Sequence, residues 1–251
     1  MLDGIGSTVA WAVLQKQGEA LETRFASQKS NTTDAERFRS RAADIKTIDD
    51  LMKDRRTLTM VLEAYQMESE VDKRAIIRKL LTDDPADKAS FANKMVDHRY
   101  RELNAAFGGR TTPPLADKTL VETIIKKAMV NRFEKSAGDG NSGLREALYF
   151  KRSIASIGSV VALMSDQALV AVAKGALGLP SQFGLLEYEQ QKTILTKRLD
   201  PKTFTDPKAV DKLIQRYLVQ AGGNNNASTD WRVSLFSGSG NSSLPGFSFT
   251  A

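Results

Sequence analysis

The sequence predicts an all-α protein: two related multi-helix units that form a pseudo-symmetric helical body, followed by a Gly/Asn/Ser-rich C-terminal tail. Three observations lead to this prediction. Apolar residues recur at helical spacing along most of the chain, as on one face of an amphipathic helix. A segment of the second half resembles a segment of the first. From Gly222 the composition shifts to Gly, Asn and Ser, which does not favour a packed helix.

The resemblance between the halves predicts an internal duplication. Residues 50–67 align without a gap with residues 162–179, and after an insertion near residues 180–183 Asp84-Pro85 aligns with Asp200-Pro201. Two copies favour a pseudo-symmetric pair, since a solenoid needs three or more repeats to bury a continuous core. The alternative is a chance resemblance between amphipathic helices. The matched pairs are Leu51/Leu163, Met52/Met164, Asp54/Asp166, Met60/Val172, Ala64/Ala176 and Met67/Leu179.

The first unit is predicted to span residues 1–110, and its helices follow from start signals before apolar stripes. A first helix over residues 8–28 is predicted to break at residues 31–33. Thr33 with Glu36 forms a capping-box pattern, in which a hydroxyl and a carboxylate satisfy free backbone donors. Proline tolerates the first helical position, so a start is also expected at Asp84-Pro85. The later predicted starts are Thr47 with Asp50, Ser69, Asp84 and Asp97.

The second unit is predicted to span residues 111–221, and the two units form either two domains or one compact domain. The run GGRTTPP at residues 108–114 cannot continue a helix, so it is the predicted link between them. A long helix follows, and the run GDGNSG at residues 138–143 is predicted to be a turn. The remaining helices are predicted over residues 144–157, 162–179, 186–199 and, opened by Asp206-Pro207, up to Ala221.

Composition excludes several kinds of chemistry. The chain has no cysteine, which excludes disulfides, thiolate metal sites and cysteine nucleophiles. His98 is the one histidine, so a metal site with two imidazoles is impossible, and a structural role is favoured over a catalytic one. No glycine-rich phosphate cradle follows a predicted strand. We therefore predict no enzyme, no catalytic, cofactor-binding or metal-binding residues, no cofactor and no small-molecule substrate.

The charge pattern says little about an anionic partner. The net charge is +6 and the sequence pI is about 9.4, which would suit nucleic acid or a membrane surface. Basic residues alternate with acidic ones, however, as in Glu36-Arg37, and no stacking aromatics are interleaved, so nucleic acid is not expected. No apolar run reaches the length of a bilayer span, and residues 1–14 lack the pattern of a cleaved signal peptide.

The tail, residues 222–251, carries the predicted partner-binding residues. Trp231, Val233 and Leu235 alternate with polar residues, and Phe247 and Phe249 lie further along. This is too much apolar surface for a linker without a binding role. We expect a flexible segment that orders when it binds a partner or a neighbouring copy of the chain.

The residues between Thr47 and Phe107 also carry a family resemblance. The run IDDLMKDRRTLTMVLEAYQM, together with DHRYRELNAAF, resembles an alphaproteobacterial family classed only as a domain of unknown function, whose genes often lie among flagellar genes. In the second half ALGLP at residues 176–180, with Phe183-Gly184 and Tyr217-Leu218, is similar to that family too. The resemblance covers roughly residues 28–219. It implies an all-helical, non-enzymatic protein connected to the flagellum, and it supplies no site residues.

These observations favour a structural or assembly protein of the bacterial flagellum that acts through protein-protein contacts. Its expected partners are flagellar proteins or further copies of itself, and its expected location is the flagellum, after export without a cleaved signal peptide. The alternative is a cytoplasmic regulator or an export chaperone for flagellar proteins. Localisation separates the two hypotheses.

Overall fold

The computed structural model describes residue 2 and residues 4–223, and this part of the chain is all-helical, as predicted, with thirteen α-helices and no β-strand. No helix among these residues combines the length and the apolar character that a membrane span requires. The helices are α1 (Ser7–Ala26), α2 (Lys29–Asp44), α3 (Ile48–Lys53), α4 (Arg55–Ala64), α5 (Arg74–Thr82), α6 (Phe91–Lys94), α7 (His98–Phe107), α8 (Lys118–Gly140), α9 (Leu144–Ser153), α10 (Val160–Met164), α11 (Gln167–Ala176), α12 (Tyr188–Arg198) and α13 (Pro207–Gly223). Short 3₁₀ turns lie at Glu68–Glu70, Pro114–Ala116, Ile154–Ser156, Ser181–Leu185 and Pro201–Thr205.

Two predicted helix starts are confirmed by their hydrogen bonds. At the start of α3, the Asp50 N–H donates to Thr47 Oγ1 at 3.1 Å, and the Thr47 N–H donates to Asp50 Oδ2 at 3.0 Å. These two bonds form the reciprocal capping box. At the start of α7, Asp97 accepts from the Arg99 N–H at 3.0 Å. Both caps act over two or three residues, which is why local sequence was enough to find them.

Other predicted starts are wrong. Helix α2 begins at Lys29, so Thr33 lies inside it, and the break falls at residues 27–28. The Asn31 side chain donates back to Phe25 O at 2.8 Å, which holds the end of α1 against the first turn of α2. Ser69 lies in a 3₁₀ turn ahead of α5.

Two further expectations fail. Asp84 opens a turn instead of a helix: its carboxylate accepts the Ala86 N–H at 2.8 Å, as at a helix start, but the Asp87 N–H then donates to Asp84 O at 3.1 Å and closes a turn. The glycines at residues 138–140 do not end α8, which continues to Gly140. Ala137 is buried in a core there, and packing outweighs the weak helix propensity of glycine.

The described residues pack around two apolar cores. The first core contains buried residues of α2 to α7 and of the first half of α8, from Ala35 to Met129. The second core contains the second half of α8, from Phe133, together with α9 to α13 and the start of α1. Packing therefore divides along α8. The domain boundary at residue 110 stays a prediction.

Helix α1 packs with the second core although it opens the chain. Trp11 is buried there, and its indole N–H donates to Asp211 Oδ1 of α13 at 2.8 Å. Gln15 donates to the same oxygen at 2.6 Å, and Ser7 Oγ donates to Ser142 O at 2.7 Å. A buried indole needs such a partner, so this bond fixes α1 beside α13.

Replacing Leu62 with alanine should lower the free energy of unfolding by about 2–5 kcal/mol, because the residue is fully buried in α4 and truncation leaves a cavity. Urea denaturation followed by circular dichroism measures the change. Val96→Ala is the matched control, since Val96 is 72% exposed and should shift the value by less than about 0.5 kcal/mol. Equal stability of the two variants would contradict the assigned core face of α4.

Candidate functional site

The partner-binding residues predicted from the sequence, Trp231, Val233, Leu235, Phe247 and Phe249, lie outside the described residues. The described part contains another candidate. A cleft of about 610 Å³ opens where α7 and the end of α4 face α9 and the start of α11. A second cavity of about 810 Å³ adjoins it. We call both together the central cleft, and the lining residues that they share are Gln66, Arg99, Tyr149 and Asp166.

Asp166 accepts three hydrogen bonds at the cleft. It caps α11, where its Oδ1 accepts the N–H groups of Ala168 at 2.8 Å and Leu169 at 3.1 Å. Its Oδ2 accepts the Tyr149 hydroxyl at 2.5 Å. Because the carboxylate is 7% exposed, these bonds replace the water that it loses on folding.

His98, at the start of α7, brings the first half of the chain to this carboxylate. Its Nδ1 lies 3.6 Å from Asp166 Oδ2, and its Nε2 lies 3.3 Å from the Tyr149 hydroxyl oxygen. Glu102, one turn along α7, approaches the same ring nitrogen at 3.5 Å. The imidazole is thus held between carboxylates and a phenol that belong to three different helices.

Arg99 ties α7 to the end of α4. Its guanidinium donates to both carboxylate oxygens of Asp97, and its Nη1 donates to Gln66 O at 2.6 Å. Gln66 is left-handed, with φ 56°, as is common just after a helix end. Burial opposes ionisation of Asp97, but the hydrogen bonds from Arg99 outweigh it and lower the pKa of that carboxyl. The hydrogen bond to Asp97 in turn raises the pKa of Arg99.

A buried ion pair closes the back of the cleft. Glu134 of α8 is 4% exposed, and Arg152 of α9 donates to its two oxygens at 2.9 and 3.2 Å. Gln66 Nε2 donates to the same carboxylate at 3.3 Å. Burial raises the pKa of Glu134, and the Arg152 guanidinium opposes that shift. This bidentate geometry supplies the hydrogen bonds that a desolvated carboxylate needs.

The arrangement suits a joint between helices. Burial, with the adjacent Asp166, raises the pKa of Tyr149, so its hydroxyl stays protonated and acts as a donor. Among residues 4–223, no group of three or more His, Asp or Glu side chains is placed to hold a metal ion. These contacts hold α7, in the first half of the chain, to α9 and α11, in the second half.

Sequence reasoning noted His98 and Asp97 but missed the partners that make the cleft. The alignment of Asp166 with Asp54 did carry a signal, because an aspartate before an apolar run marks a helix start. No sequence signal paired Tyr149 with Asp166.

Replacing Tyr149 with phenylalanine should lower the free energy of unfolding by about 1–3 kcal/mol, because the buried Asp166 carboxylate loses its closest donor. Urea denaturation at neutral pH gives the measurement. Tyr188→Phe removes the same atom from a half-exposed ring and should change the value by less than about 0.5 kcal/mol. A Tyr149→Phe protein as stable as this control would show that the hydroxyl does not stabilise the joint.

Comparisons with known proteins bear on the family. No curated protein matches the chain at a significant level. The fold is similar to an X-ray crystal structure of protein AGR_C_984 from Agrobacterium tumefaciens, with 29% sequence identity and a TM-score of 0.74 over 84% of this chain and 91% of that one. Residues 64–210 match the model of a family described as a protein of unknown function, DUF1217. The resemblance to a domain of unknown function is thereby confirmed, and the chain belongs to the DUF1217 family.

Proposed function

We propose that this protein is a non-enzymatic structural or assembly component of the bacterial flagellum that acts through protein-protein contacts. The observation that carries the flagellar part is the resemblance of residues 47–107 to a family whose genes often lie among flagellar genes. Exposed apolar side chains support the role of protein contacts. Leu185 is 85% exposed, Val96 72% and Val219 64%, and burying such side chains against a partner lowers the free energy of the complex.

We further propose that the helical body arose by internal duplication, which suits a protein with a structural role. Helix starts support this proposal. Thr47 caps α3, and the aligned Ser159 caps α10, accepting the Ala162 N–H at 3.1 Å. Asp54 caps α4, and the aligned Asp166 caps α11. Two successive helices therefore begin with the same kind of cap in each half.

The aligned positions agree beyond the caps. Gln66 and Gly178 align, and both are left-handed, with φ 56° and 62°. In the same register, Phe38 of α2 aligns with Phe150 of α9, and both are buried. Each lies two residues after the end of its helix, α4 or α11, so the aligned helices also end in the same way.

Helix α13 corresponds to α8 in this scheme. Each follows a 3₁₀ turn, α8 packs against α4, and α13 packs against α11, the aligned partner. Helix α8 would then close the first unit, which extends that unit past the predicted boundary at residue 110, and α13 would close the second. Buried residues match along the two helices in the pairs Val121/Val210, Ile125/Ile214 and Met129/Leu218.

The duplication predicts that a left-handed residue is required after α11. Gly178→Ala should lower the free energy of unfolding by about 1 kcal/mol, because an L-residue disfavours φ 62°. Thermal and urea denaturation measure it. Gly184→Ala is the control, since a Cβ there meets nothing within 4 Å. If both substitutions leave stability unchanged, the turn after α11 does not need its left-handed residue and this support for the duplication is lost.

The flagellar role predicts that the full-length protein copurifies with hook-basal bodies, and that deletion of residues 224–251 abolishes incorporation. Immunoblotting of purified hook-basal bodies and of the cytoplasmic fraction measures both. The helical body should keep its melting temperature, since the two cores lie within residues 2–218. Changing Trp231, Phe247 and Phe249 to serine should reproduce the loss, whereas Ser242→Ala with Ser243→Ala should not.

Three outcomes would contradict parts of this proposal. Protein confined to the cytoplasm would favour the regulator or export chaperone. Normal incorporation without residues 224–251 would remove the tail from the mechanism. Unfolding of the truncated body would mean that the tail completes a core.

A further inference from the structure

Three exposed apolar side chains lie where the connection between α11 and α12 meets α12, and we call them the ridge. It consists of Leu185, Leu186 and Tyr188, which are 85%, 36% and 49% exposed. This connection contains the insertion that distinguishes the second half from the aligned part of the first, near residues 180–183. The ridge directly follows this insertion and exposes three apolar side chains within four residues, which calls for an explanation.

The ridge is held firmly in place. Phe183, two residues before Leu185, is 3% exposed and packs in the second core. Gln191 Nε2 of α12 donates to Leu186 O at 2.7 Å, and Lys174 Nζ of α11 donates to Ser181 O at 3.3 Å. A surface that is already ordered loses little conformational entropy when something binds to it.

The end of α13 lies beside the base of this connection. A Cβ built on Gly178 would lie 3.4 Å from Gln220 Nε2, and one built on Gly175 would lie 2.5 Å from the Tyr217 ring. Helix α11 thus packs closely along the last turns of α13, which ends at Gly223. The end of α13 is therefore close to the chain segment that leads to the ridge.

The first apolar cluster of the tail is within reach of the ridge. Trp231 follows Gly223 by eight residues, which span at most about 26 Å when extended. From Gly178 to Leu185 the chain advances roughly 15 Å, since five of these residues form a 3₁₀ turn of about 2 Å rise per residue. A short tether rich in Gly, Asn and Ser gives an effective concentration in the millimolar range, above that of most free partners.

We propose that the segment Trp231 to Leu235 binds in cis to the ridge of Leu185, Leu186 and Tyr188. Trp231, Val233 and Leu235 occupy alternate positions, so an extended segment presents all three on one face. That face matches the ridge in its apolar character and in having three side chains. Tail and ridge then cover each other in the isolated protein.

Tryptophan fluorescence tests the proposal on the full-length chain. Trp11 is 2% exposed, and Trp231 is the other tryptophan, so the difference between wild type and Trp231→Phe isolates the signal of Trp231. We expect blue-shifted emission and weak acrylamide quenching for Trp231. Leu185→Ser with Leu186→Ser should shift the emission to the red and raise the quenching constant several-fold. Val96→Ser, an exposed valine on the other half, should leave both unchanged.

The single variant Leu185→Ala controls for misfolding of the double variant, because that side chain is 85% exposed and truncating it leaves no cavity in a core. It should raise the quenching of Trp231 with an unchanged circular dichroism spectrum. A fully quenchable Trp231 in the wild type, or one whose protection is insensitive to the ridge variants, would overturn the proposal. Protection that disappears on dilution would assign the ridge to the tail of a second copy and exclude binding in cis. None of these readouts depends on the flagellar role, so each proposal can fail alone.

Discussion

Both cores depend on one rigid element, the 23-residue helix α8. Its first half completes the first core and its second half opens the second, so its length sets the distance between them. Polar side chains stabilise the middle of α8, where it passes from one core to the other. Asn131 donates to Glu63 O at 3.0 Å, and Arg132 donates to the Glu63 carboxylate at 2.9 Å. Burial raises the pKa of Glu63 and Arg132 opposes it, so the carboxylate is tolerated there because it is paired.

The central cleft follows from this geometry. With the cores fixed side by side, the starts of α7 and α11 face one another, and the capping carboxylate of α11 is buried at the joint. The equivalent carboxylate in α4, Asp54, meets Arg41 Nε at 3.0 Å, whereas Asp166 meets the Tyr149 hydroxyl. The arginine is half-exposed and the tyrosine is buried. Both carboxylates are largely buried, with 11% and 7% of the side chain exposed, and each is satisfied by a donor from another helix.

The sequence by itself determined the helical class and the face that each helix buries. Leu62 and Leu80, for example, are fully buried, as apolar residues at helical spacing are expected to be, because a 3.6-residue period places them on one side of the helix regardless of what covers it. It also determined the caps at Thr47 and Asp97, whose bonds reach only two or three residues. The sequence did not place the break between α1 and α2. Thr33 carries a capping pattern, but it lies inside α2, which begins at Lys29, because the bond from Asn31 and packing extend the helix toward the N-terminus.

Only the tertiary structure decided which helices meet. The bond between Trp11 and Asp211 places the first helix in the second core, and no sequence pattern predicts that these two residues are partners. The pairing of Tyr149 with Asp166 and His98 likewise depends on how three helices cross. Such contacts join groups that are far apart along the chain, and they exist only once α8 has fixed both cores. Periodicity and capping act within a few residues, and they carry no information about that distance.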